Sequence, residues 1–364
     1  MEKRIYNFSA GPAVLPEEVL MEAQQNLYML PGVGMSILEI SHRSKTFDTI
    51  INSSRNGIKT LYGIDDNYEI LFLQGGATLQ FSMVPLNIMP PKNKADYIVT
   101  GTWAKKAVKE AKRAGSVNVA ATTETENFYR LPLQEELKLD PEASYVHFTS
   151  NNTIYGTEWK HEPIVGNVPL VCDMSSDFFS KKVDVNKYAL IYAGAQKNIG
   201  PSGVVVVIIR KDMLERSSDN LHTYLNYKIH AENGSMYNTP NTFGIYIVDL
   251  VCKWLNKIGG LEAMHKRNIE KAELLYNTID ESGGFYKGTV KKDCRSLMNV
   301  CFRLPSEELE KKIIDEALKA GFSGLKGHRS VGGLRASIYN AFPQKGVEEL
   351  VQFMKDFKSR SRIY

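Results

Sequence analysis

A single lysine, Lys197, lies between two short apolar runs, at 188–193 and 204–209. The runs are rich in β-branched residues, have the length of strands and are bounded by glycine and proline, as buried strands of a parallel or mixed sheet are. A lysine is rarely placed where two core strands meet unless its amine is needed. Upstream, another apolar run ends on an acid, Asp173. The chemistry open to this pair is that of a reactive amine working with a carboxylate.

An amine and a carboxylate at the ends of two strands suit the cofactor pyridoxal phosphate (PLP). The amine forms a Schiff base with the aldehyde, and the carboxylate keeps the pyridine nitrogen protonated so that the ring accepts electrons. The pattern alone favours the alternative, a surface loop lysine with an unrelated acid, because isolated motif matches have a high rate of false positives.

A phosphate site is predicted where the strand at 68–73 is followed by Gly75, Gly76 and Ala77 and then by a helix at 78–87. A strand, a glycine turn and a helix start together point backbone N–H groups at an anion. The chain has neither the Gly-Lys-Ser/Thr of a P-loop here nor a GxGxxG after a strand, which disfavours nucleotide and NAD binding. An ordinary tight βα turn is the alternative.

Two further candidates also follow predicted strands. Trp103 comes after the strand at 96–100 and could stack on a flat ligand, although core packing is the commoner fate of a tryptophan. Thr153 lies in the polar loop after the strand at 144–149. Ligands of open α/β sheets bind beyond the carboxyl ends of the strands, so we expect all these residues to share one edge of a sheet.

Two basic segments could bind anions. His42 and Arg43 precede a predicted helix, while His328, Arg329 and Arg335 lie among glycines near the C-terminus. Such groups make good clamps for carboxylate or phosphate. Solvated surface charge is the alternative interpretation.

The elements that must position these residues alternate between strand and helix as far as Arg210. A polar, aromatic segment at 221–241 has no clear period and is predicted to be a long functional loop. We predict an α/β fold whose large PLP-binding domain, residues 16–263, has a mainly parallel mixed sheet flanked by helices. Residues 1–15 and 264–364 are predicted to form a smaller α+β domain.

Composition narrows the class of protein. The 364 residues carry a net charge of only +4, with scattered basic residues, so no nucleic-acid partner is expected. The four cysteines have neither paired metal spacing nor the density of a disulfide scaffold, which predicts reduced thiols and no metal. The first residues lack the apolar core of a signal peptide, and the longest aliphatic run is too short to span a bilayer. We therefore expect a soluble cytoplasmic protein without a membrane partner.

Taken together, these segments resemble the phosphoserine aminotransferase family, which belongs to class V of the fold-type I PLP enzymes. The resemblance covers nearly the whole chain through the motifs NFSAGPAVLPEEVL, GGATLQFSMVPLNI, ADYIVTGTWAKKAVKEAK, SNNTIYGTEW, DMSSDF, AGAQKNIGPSG, YNTPNTF and GHRSVGGLRASIYN. It implies transamination between O-phospho-L-serine and 2-oxoglutarate, giving 3-phosphohydroxypyruvate and L-glutamate, in serine biosynthesis. Whether 4-phosphohydroxy-L-threonine in vitamin B6 synthesis is also a substrate stays open.

The resemblance also assigns roles around the cofactor. It makes Lys197 the Schiff-base lysine, Asp173 the partner of the pyridine nitrogen and Trp103 the stacking aromatic, with Thr153 bonded near the ring. The groups that it implies for the cofactor phosphate are Ala77, Thr78 and Gln196, completed from the neighbouring subunit by Asn238 and Thr239. Such sharing implies a homodimer.

For the substrate, the resemblance implies that His42, Arg43, His328 and Arg329 surround the phosphate. It implies that Arg335 grips the α-carboxylate. Thr78 departs from the pattern, since some family members carry arginine there, and the chain has Ala10-Gly11-Pro12 where many have Ser-Gly-Pro. Both departures bear on affinity and leave the chemistry untouched.

Rival interpretations exist. Another class V enzyme, such as a serine or alanine–glyoxylate transaminase, would share most of the cofactor motifs. A cysteine desulfurase would need a nucleophilic thiol on a mobile loop, for which Cys294 is the candidate. A non-catalytic nucleotide- or phosphate-binding protein would use the Gly75-Gly76 turn alone.

Overall fold

The structure is a computed structural model that describes residues 4–361. Residues 1–3 and 362–364, which the sequence analysis assigned to the small domain, lie outside the described residues. Within 4–361 the strands are β1 (Tyr6–Asn7), β2 (Tyr68–Leu73), β3 (Lys94–Val99), β4 (Ser116–Thr122), β5 (Val146–Thr149), β6 (Asn151–Asn152), β7 (Thr157–Glu158), β8 (Leu170–Asp173), β9 (Leu190–Gly194), β10 (Val205–Arg210), β11 (Lys287–Gly288), β12 (Asn299–Arg303), β13 (Phe322–Ser323) and β14 (Leu334–Ser337).

The α-helices of the same region are α1 (Glu17–Tyr28), α2 (Lys45–Tyr62), α3 (Gly76–Ile88), α4 (Thr102–Ala111), α5 (Lys211–Leu214), α6 (Tyr227–Glu232), α7 (Thr242–Lys257), α8 (Gly260–Asp280), α9 (Glu307–Lys319) and α10 (Gln344–Ser361). No helix within residues 4–361 is both long enough and apolar enough to cross a membrane.

The main sheet of the described chain has seven strands in the order β2-β10-β9-β8-β5-β3-β4. Strand β10 runs antiparallel to β2 and β9, whereas the other neighbouring pairs are parallel. Strand β10 reads VVVIIR and is buried until its last residue, as expected for a strand covered on both faces. The predicted mainly parallel mixed sheet is confirmed.

The pairing also fixes the direction of β2, since β2 and β9 both oppose β10. Strand β2 is therefore parallel to β9, β8, β5 and β3, and the carboxyl ends of these five strands lie along one edge. The expectation that the candidate residues share one sheet edge is confirmed at the level of topology.

Part of the predicted loop at 221–241 is helical, so that prediction was wrong there. Asn226 caps α6 by accepting hydrogen bonds from Lys228 N at 2.9 Å and Ile229 N at 3.3 Å. Tyr227 is buried and donates to Gln80 Oε1 at 2.5 Å. Six residues are too few to reveal a helical period, so tertiary contacts and the cap decide this helix.

A smaller antiparallel sheet, β11-β12-β14, packs with α8, α9 and α10 around a separate apolar cluster. The N-terminal segment joins this region, because β1 pairs with β13 and Phe8 is fully buried in the same cluster. Helices on the main sheet build two other clusters, one on each face. The predicted domain boundaries stay a prediction.

Candidate active site

A cavity of about 250 Å³ lies at the carboxyl edge of the main sheet. Seven residues predicted from the sequence line it: Ala77, Thr78, Trp103, Thr153, Asp173, Gln196 and Lys197. They come from the ends of five strands, so the tertiary structure brings together residues spread over more than a hundred positions.

Lys197 follows β9 in the turn that leads to β10, and its amine Nζ donates a 2.7 Å hydrogen bond to Thr153 Oγ1. Burial lowers the pKa of Lys197 to about 8, the charge of Arg335 acts in the same direction, and the charge of Asp173 opposes the shift. The Lys197 amine therefore loses its proton more readily than an ordinary lysine. The unprotonated amine is the nucleophile that attacks a carbonyl group.

Asp173 is the last residue of β8 and is buried. Its Oδ1 accepts hydrogen bonds from Ser175 N at 2.9 Å and from Ser175 Oγ at 2.6 Å. Burial raises the pKa of Asp173, and the donors of Ser175 and the charge of Lys197 oppose the rise. Ser175 Oγ also accepts from Gly194 N at 3.1 Å, which ties the carboxylate to the strand that leads to Lys197.

The N-terminus of α3 forms another part of the cavity wall. Gly75 has φ +85° and Gly76 φ +65°, conformations that glycine adopts readily, and a Cβ on Gly75 would meet Leu79 Cδ2 at 2.5 Å. The first N–H groups of a helix have no partner inside it, and no side chain of the described residues caps this end. The turn therefore presents free N–H groups, at the positive end of the helix dipole, to the cavity.

Trp103 is the second residue of α4 and forms a flat aromatic wall of the cavity. Its Nε1 is buried without a hydrogen-bond partner among residues 4–361. The amine of Lys106 lies 4.4 Å from the centre of the indole ring.

The N-terminal segment crosses Lys197. A Cβ built on Gly11 would contact Lys197 Cγ at 3.5 Å and Gln196 Cγ at 3.6 Å. Ala13 N donates to Gln196 O at 2.8 Å, and Tyr339 Oη donates to Ala10 O at 2.8 Å. The segment therefore covers the base of the Lys197 side chain and links it to the region after β14.

Residues 5–350 match the family model described as aminotransferase class-V. The chain belongs to the class-V aminotransferases. It is 56% identical to a phosphoserine aminotransferase of Desulfosudis oleivorans over 98% of this chain and 99% of that protein.

Two solved structures are also similar to this class-V aminotransferase. One is a phosphoserine aminotransferase from Bacillus circulans subsp. alkalophilus, with a TM-score of 0.97 and 51% identity over 99% of this chain and 100% of that one. The other is the PLP-bound phosphoserine aminotransferase of Trichomonas vaginalis, with a TM-score of 0.92 and 40% identity over 97% of this chain and 100% of that one.

Arg335 lies just outside the cavity of this class-V aminotransferase. It is on β14, and its Nη1 donates to the backbone oxygen of Thr153 at 3.2 Å. Its Nε is buried and has no partner in the described chain. The Nε–H group of Arg335 therefore has no acceptor within residues 4–361. Its side chain is bonded to Thr153, which also accepts a hydrogen bond from the Lys197 amine.

The other predicted substrate residues are not brought into the cavity. Arg43 is exposed just before α2, and His42 Nε2 is buried without a partner within residues 4–361. His328 and Arg329 line a different cavity of about 510 Å³, where His328 Nδ1 and Ser330 Oγ lie 2.7 Å apart.

Asn238 and Thr239 also lie outside the cavity lining. The backbone oxygen of Thr239 accepts from Gln74 Nε2 at 3.2 Å and from Asn238 Nδ2 at 3.3 Å. Gln74 directly precedes the glycine turn, so this segment of the same chain lies near the N-terminus of α3 without lining the cavity.

Several residues that line the cavity were not predicted from the sequence: Phe81, Thr149, Asn151, Ser175 and Ser176. The strand-end rule could have found Ser175 and Ser176, because they come two and three positions after Asp173 at the end of β8. Asn151 donates to Ser176 Oγ and to Asn299 Oδ1, both at 2.8 Å, so the floor of the cavity is bonded to β12. No local pattern predicts that contact.

Cys294 does not line this cavity. It is buried, and burial raises the pKa of its thiol, so the thiolate needed for attack on sulfur or carbon is disfavoured. This disfavours the cysteine desulfurase interpretation of the class-V fold.

Proposed function

We propose that this chain catalyses PLP-dependent transamination between O-phospho-L-serine and 2-oxoglutarate, giving 3-phosphohydroxypyruvate and L-glutamate. The full-length similarity to phosphoserine aminotransferases supports the substrates. The observation that carries the chemistry is the buried pair of Lys197 and Asp173 in one cavity with the free N–H groups of α3.

The cavity fits PLP in several independent respects. The cavity lining offers an amine whose pKa is lowered to about 8, and the N-terminus of α3 offers N–H groups suited to a phosphate. Thr149 Oγ1 and Trp103 Nε1, on two lining residues, are buried polar atoms without partners among the described residues. Buried polar groups normally have partners, so a ligand with polar edges fits this space.

Bound PLP supplies an aldehyde for the amine and a ring that accepts electrons from the substrate's α-carbon. The residues that would hold it are Lys197 at the aldehyde, Asp173 at the ring nitrogen, Trp103 on the ring face and Thr153 beside it. Ala77, Thr78 and Gln196 would hold its phosphate. Thr78 has a threonine hydroxyl where some relatives have arginine, so it supplies no charge there.

In this arrangement each side chain would have a separate role in the reaction. Lys197 Nζ would remove the proton from the α-carbon of phosphoserine and, in the second half-reaction, would deliver a proton to the α-carbon of the glutamate being formed. Thr153 accepts from Nζ and so aims the amine. Asp173, held by Ser175, keeps a negative charge in a buried place where it stabilises a protonated ring nitrogen.

Substrate choice would come from cationic side chains. Arg335 would bind the α-carboxylate common to both amino acids. Its Nε, which has no partner within the described chain, and its bond to Thr153 support this role. His42, Arg43, His328 and Arg329 would bind the phosphate group, for which the planar fork of arginine is suited. Closing the site around phosphoserine would require these groups to approach the cavity.

We propose a homodimer with shared active sites, in which Asn238 and Thr239 complete the partner's cofactor-phosphate site. Their position outside the cavity of their own chain supports this. Exposed apolar side chains concentrated between residues 21 and 38 also favour a covered surface: Met21, Leu27, Tyr28, Met29, Met35 and Leu38. A second copy is the occupant that two-fold symmetry provides.

Mixing two inactive variants tests the shared site. Lys197→Ala and Asn238→Ala chains, refolded together in equal amounts, should recover about a quarter of parental activity, because half the dimers are hybrids with one intact site each. Neither variant alone should approach that value. Absence of recovery, with hybrid dimers verified by mass, would rule out sharing through Asn238.

We also propose the division into a large domain at 16–263 and a small domain at 1–15 and 264–364. The separate apolar cluster around β11-β12-β14 supports it. A cytoplasmic location is proposed with it, and the four free, buried cysteines support a reducing compartment.

A half-reaction titration tests the function. The absorbance of the bound cofactor should change on addition of phosphoserine at much lower concentration than on addition of serine, and 2-oxoglutarate should reverse the change. Equal response to serine and phosphoserine would favour a generic class-V transaminase. Failure of the purified protein to take up PLP would favour a non-catalytic phosphate-binding protein.

A further inference from the structure

Lys271, on α8, is a buried lysine outside the site described above. It is 2% exposed, and none of the ion pairs among residues 4–361 involves it. Burial lowers its pKa to about 7, and the charge of Arg267 acts in the same direction. A buried amine without a carboxylate is rare and calls for a specific set of partners.

The partners of Lys271 are four backbone carbonyls of one short segment, residues 338–342, which joins β14 to α10. Nζ donates to Tyr339 O at 2.7 Å and Ile338 O at 2.9 Å, and lies 3.3 Å from Phe342 O and 3.4 Å from Asn340 O. The segment is neither helix nor strand, so most of these carbonyls have no ladder partner. The Lys271 side chain therefore contacts the backbone along most of residues 338–342 and stabilises its conformation.

Two routes lead from this segment to Lys197. On the first, Asn340 N donates to Asn198 Oδ1 at 3.0 Å, and Asn198 is the neighbour of Lys197 in the chain. On the second, Tyr339 Oη donates to Ala10 O at 2.8 Å, next to Gly11, which covers the Lys197 side chain.

The segment also continues directly from β14, which carries Arg335. Ile338 N donates to Met298 O at 2.9 Å and so keeps the strand end paired with the region before β12. A shift of residues 338–342 would therefore move Arg335 relative to Thr153. The reacting amine and the carboxylate-binding arginine depend on the same piece of backbone.

We propose that Lys271 is a positioning residue for the reaction, which sets the relative places of Lys197 and Arg335 through residues 338–342. This proposal rests on the contacts of Lys271 with the backbone carbonyls and not on the charge state of its amine. The predicted effect on KM depends on the proposed transamination. The predicted effect of Lys271 on the position of the Lys197 amine can be measured without turnover.

The test compares Lys271→Met with Lys266→Met, which makes the same change at an exposed position of the same helix. The first readout is the rate at which PLP becomes covalently attached to Lys197 of the cofactor-free protein, trapped by borohydride and located by mass spectrometry. We expect Lys271→Met to slow attachment about ten- to a hundred-fold, because small displacements of a reacting group are costly. Lys266→Met should match the parent.

The second readout is the KM for the amino-acid substrate, which should rise in Lys271→Met as Arg335 loses its place. A folded Lys271→Met protein with a lower melting temperature, but with parental attachment rate and parental KM, would make Lys271 purely structural and overturn the proposal. If the parent itself attached no PLP, the proposed function would fail instead, so the two failures are distinguishable.

Asn198→Ala provides an independent arm, which tests the route from residues 338–342 to Lys197 even if Lys271→Met does not fold. It removes the acceptor for Asn340 N, and with it the bond from Asn198 Nδ2 to Ser176 O, but leaves Lys271 and its carbonyls intact. We expect slower attachment to Lys197 with little change in KM, since Arg335 stays in place. Combined with Lys271→Met, its effect on attachment should be less than additive, as for residues on one path. A parental attachment rate in Asn198→Ala, or full additivity, would contradict the route.

Discussion

Thr153 holds Lys197 and Arg335 at once: its Oγ1 accepts from Lys197 Nζ at 2.7 Å, and its backbone oxygen accepts from Arg335 Nη1 at 3.2 Å. One residue in the turn between β6 and β7 is therefore bonded to both the Lys197 amine and the Arg335 guanidinium. In the proposed reaction this relationship matters, because an amino acid would present its α-carbon to the amine while Arg335 binds its carboxylate.

The hydroxyl of Thr153 can be removed without changing the shape of the side chain. Thr153→Val should lower the pKa of the Lys197 amine, because a hydrogen bond that favours the charged form is lost. Competitive acetylation of the cofactor-free protein against pH, with the Lys197 peptide quantified by mass spectrometry, measures this pKa. Thr153→Ser keeps the hydroxyl and should match the parent. An unchanged midpoint in Thr153→Val would show that the hydrogen bond does not act on the amine.

In the same acetylation experiment, we expect the pKa of Lys197 to shift in opposite directions when two other residues, Asp173 and Arg335, are replaced. In the parent, labelling of Lys197 should rise with pH around a midpoint near 8. Asp173→Asn removes a negative charge that raises the pKa of Lys197, so the midpoint should fall. Arg335→Leu removes a positive charge that lowers it, so the midpoint should rise. Shifts of the same sign in both variants would contradict this balance of charges.

Lys197→Ala should abolish covalent attachment of PLP and reduce turnover about a hundred-fold or more, since the amine that moves the proton is gone. Borohydride reduction followed by peptide mapping should find no modified position in the site. Lys182→Ala, at an exposed lysine, serves as the control and should retain both properties. Cofactor still trapped in the Lys197→Ala cavity would mean that another amine forms the bond.

Asp173→Asn should bind PLP while losing roughly a hundred-fold in rate, because the preorganised charge that supports a protonated ring nitrogen is removed. Equilibrium binding of the cofactor and single-turnover rates with phosphoserine separate the two effects. Asp219→Asn, at an exposed acid, is the matched control. Parental turnover of Asp173→Asn would assign ring protonation to another group.

Arg43→Leu and Arg329→Leu should weaken phosphoserine use about ten- to a hundred-fold each, since a charge-assisted contact contributes about 1.5–3 kcal/mol. Residual reaction with serine should change little, because serine has no phosphate. Arg335→Leu should damage both substrates to a similar degree through the shared carboxylate. Steady-state kcat/KM for the two amino acids decides between these patterns. Equal losses for serine and phosphoserine in Arg43→Leu would remove that residue from the phosphate clamp.

Local pattern determined much of this protein. Runs such as 204–209 are continuous in β-branched residues, so they become buried strands wherever the chain packs. Parallel strands have their carboxyl ends at one edge of a sheet, and each candidate residue follows a predicted strand. The sequence therefore predicted that Asp173, Trp103 and Lys197 lie at the same edge. The family resemblance then supplied their roles.

The local sequence pattern predicted helices less well where the helix is short or where it begins at glycine. Helix α3 begins at Gly76, two residues before the predicted start, because Gly75 and Gly76 adopt positive φ and let the first turn form early. Helix α6 went unpredicted because its six residues are stabilised by the Asn226 cap and by Tyr227 packing onto α3.

Only the tertiary structure decided the contacts between residues far apart in the chain. The bond of Arg335 to Thr153, that of Asn151 to Asn299, and the hold of Lys271 on residues 338–342 each join segments more than sixty positions apart. The positions of these contacts depend on how separate parts of the fold pack against each other. The spacing of hydrophobic residues along the sequence does not predict that packing. The sequence thus determined which groups could do the chemistry, and long-range packing decided how far apart they stand.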